Sequence, residues 1–357
     1  MKVGILTFPN STSYGAVLQM YALYHTVENL GHSTEVINYQ NTFMKKEKHT
    51  RRGMWFHRIA TKLFHHRLYR KFRDFENERM NRYPTKTVTD PTKLSQIAQH
   101  YGAVICGSDQ VWNPDITGLD LSYFLNFCGE STRRVAYAPS FGISEFSHDF
   151  STAIKVELEK FHSLSVRETP GQALILELLG KDVPLVCDPT LLMNSDDWAR
   201  LEKPHHAAQG DYVLFYTVRS SAALWNKCKK FATDKGLKIV VIGGNWMKQL
   251  RQKDDMIQYA VDIGPGEWLY LLHHARYVVT NSFHGTAFSI NYRKDFFVEF
   301  SSLTNSRLKQ ITRSLGLDDQ IVGSEPLSGA ATDYSVADRE LLRMRETSVK
   351  YLSEALN

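Results

Sequence analysis

The sequence predicts an α/β protein made of two Rossmann-like, doubly wound domains. Its length of 357 residues exceeds the size at which one hydrophobic core usually stops growing. Short, continuously apolar runs alternate with amphipathic runs of helical length, which is typical of a parallel sheet covered by helices on both faces. Because this alternation occurs in both halves of the chain, we expect two such sheets facing a central cleft.

The predicted first domain, residues 1–187, opens with a strand–helix–strand unit. "KVGILTF" predicts a buried strand, and the stretch "AVLQMYALYHTVENL" predicts a helix that ends before Gly31, where a left-handed cap belongs. The apolar face of this helix is formed by Ala16, Met20, Leu23, Val27 and Leu30. Further strands are predicted over "STEVINY", "GAVICGS" and "RRVAYAPSFG".

The predicted second domain, residues 188–334, repeats the pattern. Strands are expected over "DYVLFYTV", "KIVVIGG", "RYVVTNS" and "DFFVEF", and helices over 222–235, "GEWLYLLHHA" and "HGTAFSINY". The boundary falls in a polar connection punctuated by Pro189, Pro204 and Gly210. A last helix, 335–357, is expected to pack back on the first domain.

Composition indicates a folded protein of a reducing compartment. The chain is 43% apolar and 23% charged, which gives ample material for packed cores. Its four cysteines are far apart and form no CxxC pair, so neither disulfides nor a zinc site are expected. The N-terminal apolar run is too short for a secretory signal and no run has membrane-spanning length, so we expect a cytoplasmic protein.

Positive charge is concentrated in an insertion over residues 44–86. This segment holds 14 Lys and Arg against 4 Asp and Glu, a local charge of +10. Because the whole chain has a formal charge of +5, the rest of the chain sums to −5. Apolar residues recur at helical spacing over 55–75, at Phe56, Ile59, Leu63, Leu68, Phe72 and Phe75. Such a helix either lies on the inner face of an anionic membrane, attracts a diphosphate-linked sugar, or packs on its own domain. No nucleic-acid motif accompanies it, so nucleic acid is not expected as a partner.

The run "VVTNSFHGTAF" predicts a polar elbow between a buried strand and a helix. A helix that starts after a strand directs unpaired N–H groups and the positive end of its dipole toward a ligand, so anions bind there. Gly285 would let a ligand approach the main chain, and His284 can transfer a proton near neutral pH. The alternative is a core histidine beside a glycine that serves only tight packing.

Several motifs together resemble the polysaccharide pyruvyl transferases. They are "KVGILTFPNSTSYGAVLQMYAL", "VICGSDQVWNP", "VAYAPSFG", "LSVRETPG", "LVCDPTLL" and "VVTNSFHGTAFSI". The resemblance implies a GT-B-like fold and transfer of a pyruvyl group from phosphoenolpyruvate to a sugar, as a cyclic ketal, in surface polysaccharide (exopolysaccharide or capsule) assembly. Many relatives carry Arg where this chain has Ser282, so the resemblance leaves open which cation replaces it.

The resemblance and the strand ends together suggest site residues. His284 and Asp109 are the candidate catalytic residues, although Asp109 could equally serve a turn or a helix cap. Donor-binding candidates are Arg167, Arg219, Ser282, Gly285 and Arg307, and each of the three arginines could instead be a surface residue or a salt-bridge partner. Acceptor-binding candidates, in the first-domain loops, are Asn10, Ser13, Tyr14, Gly15, Ser108 and Gln110.

Cofactors and metals are not expected. The chain has no GxGxxG, no GxxxxGK[ST] and no DxD, and its histidine doublets lack ligand spacing. The expected partners are phosphoenolpyruvate and a sugar acceptor carried on a lipid or a nucleotide. Two other functions fit the same sequence: a GT-B glycosyltransferase that uses a nucleotide sugar, and a non-catalytic protein that binds membrane or RNA. The acceptor sugar, its hydroxyl pair and the oligomeric state are not indicated.

Overall fold

A computed structural model describes residues 1–43, 58–143, 145, 148–243, 254–300 and 305–357, without the side chains of 58–65 and 305–306. The chain divides into two compact units. The first comprises Met1–Leu192 together with Met344–Asn357, and the second comprises Met193–Arg343. The predicted division after residue 187 lies close to this boundary.

The first unit is built on a five-stranded parallel sheet in the order β3-β2-β1-β4-β5. Its strands are β1 (Lys2–Leu6), β2 (Ser33–Tyr39), β3 (Arg82–Val88), β4 (Ala103–Cys106) and β5 (Arg133–Ala136). The sequence predicted four of these strands and missed β3, a half-exposed edge strand.

Helices of the first unit cover both faces of its sheet. They are α1 (Tyr14–Asn29), α2 (Arg58–Arg79), α3 (Leu94–Ala98), α4 (Pro114–Thr117), α5 (His148–Leu158) and α6 (Thr169–Leu179). The predicted apolar face of α1 is buried in the core, and Gly31 has the left-handed φ of 87° that its place after the helix requires.

The C-terminal helix α12 (Ser335–Leu356) begins in the second unit and ends in the first. Leu352, Ala355 and Leu356 pack in one core cluster with Val3 and Ile5 of β1. The end of the chain therefore completes the hydrophobic core of the first unit.

The second unit repeats the topology with strand order β10-β9-β6-β7-β8. Its strands are β6 (Tyr212–Tyr216), β7 (Lys238–Ile242), β8 (Ile257–Ala260), β9 (Tyr277–Thr280) and β10 (Asp295–Val298). Its helices are α7 (Ser195–Ala199), α8 (Ala222–Lys235), α9 (Pro265–His273), α10 (Phe283–Asn291) and α11 (Asn305–Ser314). The fold class of two doubly wound, Rossmann-like α/β units is confirmed.

The basic insertion continues as α2, whose apolar side packs on its own unit. Phe72 and Phe75 are buried, and their rings lie 5.1 Å from Tyr14 and 5.9 Å from Tyr21 of α1. These two phenylalanines therefore cannot insert into a lipid surface, and the alternative of a helix packed on its own domain fits them. The predicted contributions of Phe56, Ile59 and Leu63 lie outside the described side chains. Among the described residues, no helix is long and apolar enough to cross a membrane.

Candidate functional site

In the first unit, the loops that follow β4 and β5 are tied together at the carboxyl edge of the sheet. The amide of Ser140 donates to the carbonyl of Asp109 at 2.9 Å, and the Ser108 hydroxyl donates to the carbonyl of Ala138 at 3.0 Å. The carboxyl edge of a doubly wound sheet is where such folds bind ligands. The motifs "GSDQVWNP" and "VAYAPSFG" thus meet at the expected edge.

The guanidinium of Arg167 lies at the centre of this polar cluster. Its side chain is 2% exposed, and it donates to Asp188 Oδ2 at 2.7 Å while lying 3.7 Å from Asp109 Oδ1. Burial alone works to lower the pKa of Arg167, but the carboxylates of Asp188, Glu168 and Asp109 outweigh burial and raise it. Arg167 is therefore a permanent, buried cation, and of the two roles left open by the sequence the geometry fits a salt-bridge partner.

Asp109 occupies a strained position beside that cation. Its φ of 77° is in the left-handed region, which Asp tolerates better than most residues. Its side chain is 17% exposed, and its Oδ1 accepts from the amide of Gln110 at 2.9 Å. The carboxylate thus serves a turn, as the alternative had it, and still presents part of its surface to solvent.

The acceptor-side candidates differ in accessibility. Ser108 is fully buried and holds the loops together, so it is not presented to a ligand. Gln110 is half-buried, and its Oε1 accepts from Asn113 Nδ2 at 2.9 Å. The remaining four lie in the loop before α1 or at its start: Asn10, Ser13, Tyr14 and Gly15.

Asn10 is held by hydrogen bonds on both sides of its amide group. It has a left-handed φ of 60°, and its amide donates to Asn38 at 2.9 Å while its carbonyl oxygen accepts from Arg82 at 3.0 Å. Ser13 is exposed, Tyr14 is half-buried and Gly15 is buried. The hydrogen bond from Arg82 therefore helps to hold this loop, and Arg82 was not among the predicted site residues.

In the second unit, the elbow between β9 and α10 forms as predicted, one residue earlier than expected. The helix begins at Phe283, and Ser282 is its N-cap, with a hydroxyl that accepts from the amide of Gly285 at 3.2 Å. Thr280 fixes the cap in turn, since its hydroxyl accepts from the amide of Ser282 at 3.0 Å. His284 is half-buried in the first turn of the helix.

Gly285 is closely packed on its Cβ side. A Cβ at this position would lie 2.4 Å from Thr280 Oγ1 and 3.1 Å from a ring carbon of Tyr216. On this side the glycine therefore permits close packing of α10 on the strands beneath it, as the tight-packing alternative requires.

Asn281 joins the elbow to the neighbouring strand β6. Its carbonyl oxygen accepts from the amide of Val218 at 3.0 Å, and its amide donates to the carbonyl of Arg219 at 2.8 Å. Because β6 and β9 pair in parallel, these contacts hold the backbone of Arg219 at the same edge as the elbow. The side chain of Arg219 is exposed, whereas Arg307 is half-buried in the first turn of α11.

Two residues of these clusters were missed as site residues. Asp188 lies in the quoted motif "LVCDPTLL", and its Oδ1 caps the following turn by accepting from the amide of Thr190 at 3.0 Å. Asn281 lies within the elbow motif itself. An Asp before Pro and an Asn before a helix cap were available signals, but each is also common in ordinary turns.

A sequence model of the family described as polysaccharide pyruvyl transferase matches residues 14–298. The chain belongs to this family. The match spans both units and most of the chain, and it includes the polar cluster around Arg167 and the elbow between β9 and α10. The protein is therefore a transferase of polysaccharide biosynthesis, and a sugar or polysaccharide acceptor follows from the family. No curated protein sequence matches the chain.

Solved structures with a similar fold have low sequence identity to this chain. UDP-GlcNAc 2-epimerase from Methanocaldococcus jannaschii has a TM-score of 0.52 at 12% identity, covering 97% of this chain and 92% of that chain. UDP-GlcNAc 2-epimerase from Neisseria meningitidis, bound to UDP-GlcNAc, has a TM-score of 0.51 at 8% identity, covering 98% and 94%. UGT89C1 from Arabidopsis thaliana has a TM-score of 0.51 at 11% identity, covering 99% and 98%. At these identities the likeness shows a GT-B-like fold and nothing further.

Proposed function

We propose that this protein transfers the pyruvyl group of phosphoenolpyruvate to two hydroxyls of a sugar, forming a cyclic ketal and releasing phosphate. Membership of the pyruvyl transferase family supports the reaction class. The observation that carries the proposal is His284 in the first turn of α10, on a cap rigidly held by Ser282 and Thr280. The positive end of the helix dipole favours a phosphate or carboxylate at this place.

His284 is proposed as the proton donor of the reaction. A proton added to the methylene carbon of the donor leaves a cationic carbon, which one sugar hydroxyl attacks. The bond from that carbon to the phosphate oxygen then breaks, phosphate leaves, and the second hydroxyl closes the ring. Of the two protons lost by the hydroxyls, one restores the imidazole, and the other passes by way of Asp109 to the departing phosphate.

Cations and a carboxylate are proposed in supporting roles. Arg219, exposed on a backbone fixed by Asn281, and Arg307 are proposed to bind the donor's charges. Asp109, held beside Arg167, is proposed to take the proton of an acceptor hydroxyl. The proposal needs no metal, because guanidinium groups neutralise the donor. Asn10 and Gln110 are proposed acceptor contacts.

The test follows phosphate release and acceptor mass together. Purified protein with phosphoenolpyruvate and a panel of sugars, free, lipid-linked and nucleotide-linked, should release phosphate only with the right acceptor, which gains one pyruvate ketal. His284→Ala should lower the rate by about 10²- to 10⁴-fold. His206→Ala, a change at an exposed histidine of the same unit, should not. An equal rate for wild type and His284→Ala would refute the assignment.

A second candidate, a nucleotide-sugar enzyme, is favoured by the fold neighbours. The Neisseria meningitidis structure is described as bound to UDP-GlcNAc. With UDP-GlcNAc and the same acceptors, that candidate requires release of UDP without any consumption of phosphoenolpyruvate. Release of phosphate from phosphoenolpyruvate with a ketal on the acceptor excludes it. We also propose a cytoplasmic location, tested by cell fractionation, and a contact of the basic helix with membrane, tested by co-sedimentation with anionic vesicles.

A further inference from the structure

A glutamate and a histidine doublet meet in the second unit, far from the elbow. Glu202 lies in the chain after α7, while His273 ends α9 and His274 follows it. One ligand atom from each of the three side chains lies within 4.8 Å of the other two, and this is the one such group among the described residues. The cluster lies before β9 begins, whereas the elbow follows the end of that strand, so the two occupy opposite ends of β9.

The spacing suits a divalent transition metal. His273 Nδ1 lies 2.7 Å from Glu202 Oε1, and His274 Nδ1 lies 3.8 Å from Glu202 Oε2. With zinc bonds of about 2.0 Å in tetrahedral geometry, neighbouring ligand atoms are about 3.3 Å apart. The observed distances lie on either side of this value. Side-chain rotations that also release the 2.9 Å hydrogen bond from His274 Nδ1 to the carbonyl of Tyr270 would place all three atoms around one ion. Two imidazoles and one carboxylate form a set that suits zinc.

The surroundings hold the ligands in place. The ring of Tyr292 stacks on His273 with centroids 4.2 Å apart, and the ring of Tyr270 stacks on His274 at 4.0 Å. Burial first, and then the charge of Glu202, raise the pKa of Tyr292, so its hydroxyl stays protonated beside the carboxylate.

The local charge is compatible with a cation. Glu202 has a side chain only 10% exposed, and the metal would replace the hydrogen bond that now joins it to His273. The ammonium of Lys294 donates to the backbone carbonyl of His273 at 2.7 Å, so this positive charge is paired with the main chain. The two histidines are partly exposed, which leaves an entry path and a fourth position for water.

We propose that Glu202, His273 and His274 form a zinc-binding site that joins the segment after α7 to the end of α9. The site is independent of pyruvyl transfer and needs no donor or acceptor. It binds one ion per chain. The sequence offered no such site, since the carboxylate that completes the doublet is 71 positions away from His273.

The test is a zinc titration of the full-length protein after dialysis against a chelator. Calorimetry should give one ion per chain with micromolar or tighter affinity, and cobalt(II) should give the visible absorption of a tetrahedral site. His274→Ala should weaken zinc binding by at least about 100-fold, since loss of even an outer-shell partner typically costs 10- to 100-fold. Circular dichroism should show that this variant, altered at an exposed side chain, is folded.

Two further variants separate a metal site from an ion-pair clamp. Glu202→Gln keeps an oxygen that accepts from His273 but is a poor zinc ligand, so it should lose zinc while keeping its melting temperature. His206→Ala is the matched control, because its doublet, with rings 4.3 Å apart, has no carboxylate completing a cluster among the described residues. Zinc binding that is absent in wild type, or unchanged in Glu202→Gln and His274→Ala, would overturn the proposal.

Discussion

Replacing Gly285 with alanine tests why a glycine lies in the elbow helix. The new Cβ would lie 2.4 Å from Thr280 Oγ1 and 3.2 Å from Thr280 Cβ, and Thr280 is fully buried. Overpacking of this kind costs about 1–3 kcal/mol. Alanine recovers up to about 1 kcal/mol of helix propensity because the backbone of Gly285 is already helical. The net destabilisation should be about 1–2 kcal/mol.

Thermal unfolding followed by circular dichroism measures this loss. For a unit of this size we expect the melting temperature of the second unit to fall by about 3–6 °C. Gly323→Ala is the matched control in the same unit, since its added Cβ would meet nothing within 4 Å. Its melting temperature should stay within about 1–2 °C of wild type, as for an ordinary surface substitution.

A double-mutant cycle then identifies the atom responsible. Thr280→Ala alone should cost about 1 kcal/mol, because it removes the hydroxyl that accepts from the amide of Ser282. In the double variant Gly285→Ala with Thr280→Ala the obstructing oxygen is gone. Its loss of unfolding free energy should therefore be about 1 kcal/mol smaller than the sum of the two single-variant losses. A Gly285→Ala variant as stable as wild type would mean that the space is open, and the packing argument would fail.

Three more predictions concern burial of charge and of ionisable groups. Asp188→Asn leaves the buried cation Arg167 without its main partner, so denaturant unfolding should show a loss of about 3 kcal/mol, and no loss would mean that the pair is not buried. The four cysteines are free and buried, so a thiol reagent should react with them only after unfolding, and fast native reaction would contradict this. Burial raises the pKa of Tyr216 to about 12, so its protonated form stabilises the fold fully below pH 10.0 and this contribution is lost as the pH rises toward 12. Tyr216→Phe should therefore flatten the fall of melting temperature over that range, and an unchanged slope would refute it.

The sequence predicted the interior of both sheets better than their edges. Strands such as β4 and β9 are buried along their whole length, so their sequences are nearly continuous apolar runs. The two missed strands, β3 and β8, are edge strands with half-exposed patterns. An edge strand has solvent on one side, so its sequence need not be apolar, and composition alone does not distinguish it from a loop.

The sequence predicted only those features of the candidate site that are formed by residues close together in the chain. The elbow, its cap and its histidine are neighbours in the chain, so their placement follows from one strand and one helix. The surroundings of Arg167 depend on Ser108 and Asp188, which are distant in the chain and brought together by three different loops. The sequence could therefore name Arg167 but not decide between a ligand and a salt-bridge partner.

The shared topology of the two units explains why the candidate chemistry falls on Asp109 and His284. Each sheet changes direction of winding at its first strand, between β1 and β4 in one unit and between β6 and β9 in the other. Ligands of doubly wound sheets bind at this switch point, beyond the carboxyl ends of the strands. Asp109 follows the end of β4 and His284 follows the end of β9, so the two residues occupy equivalent loops of a repeated fold. One loop carries a carboxylate held by a buried cation and the other an imidazole at a helix N-terminus. Because the packing of an ordinary core does not require either group at a switch point, their equivalent placement favours a role in binding or proton transfer over a purely structural one.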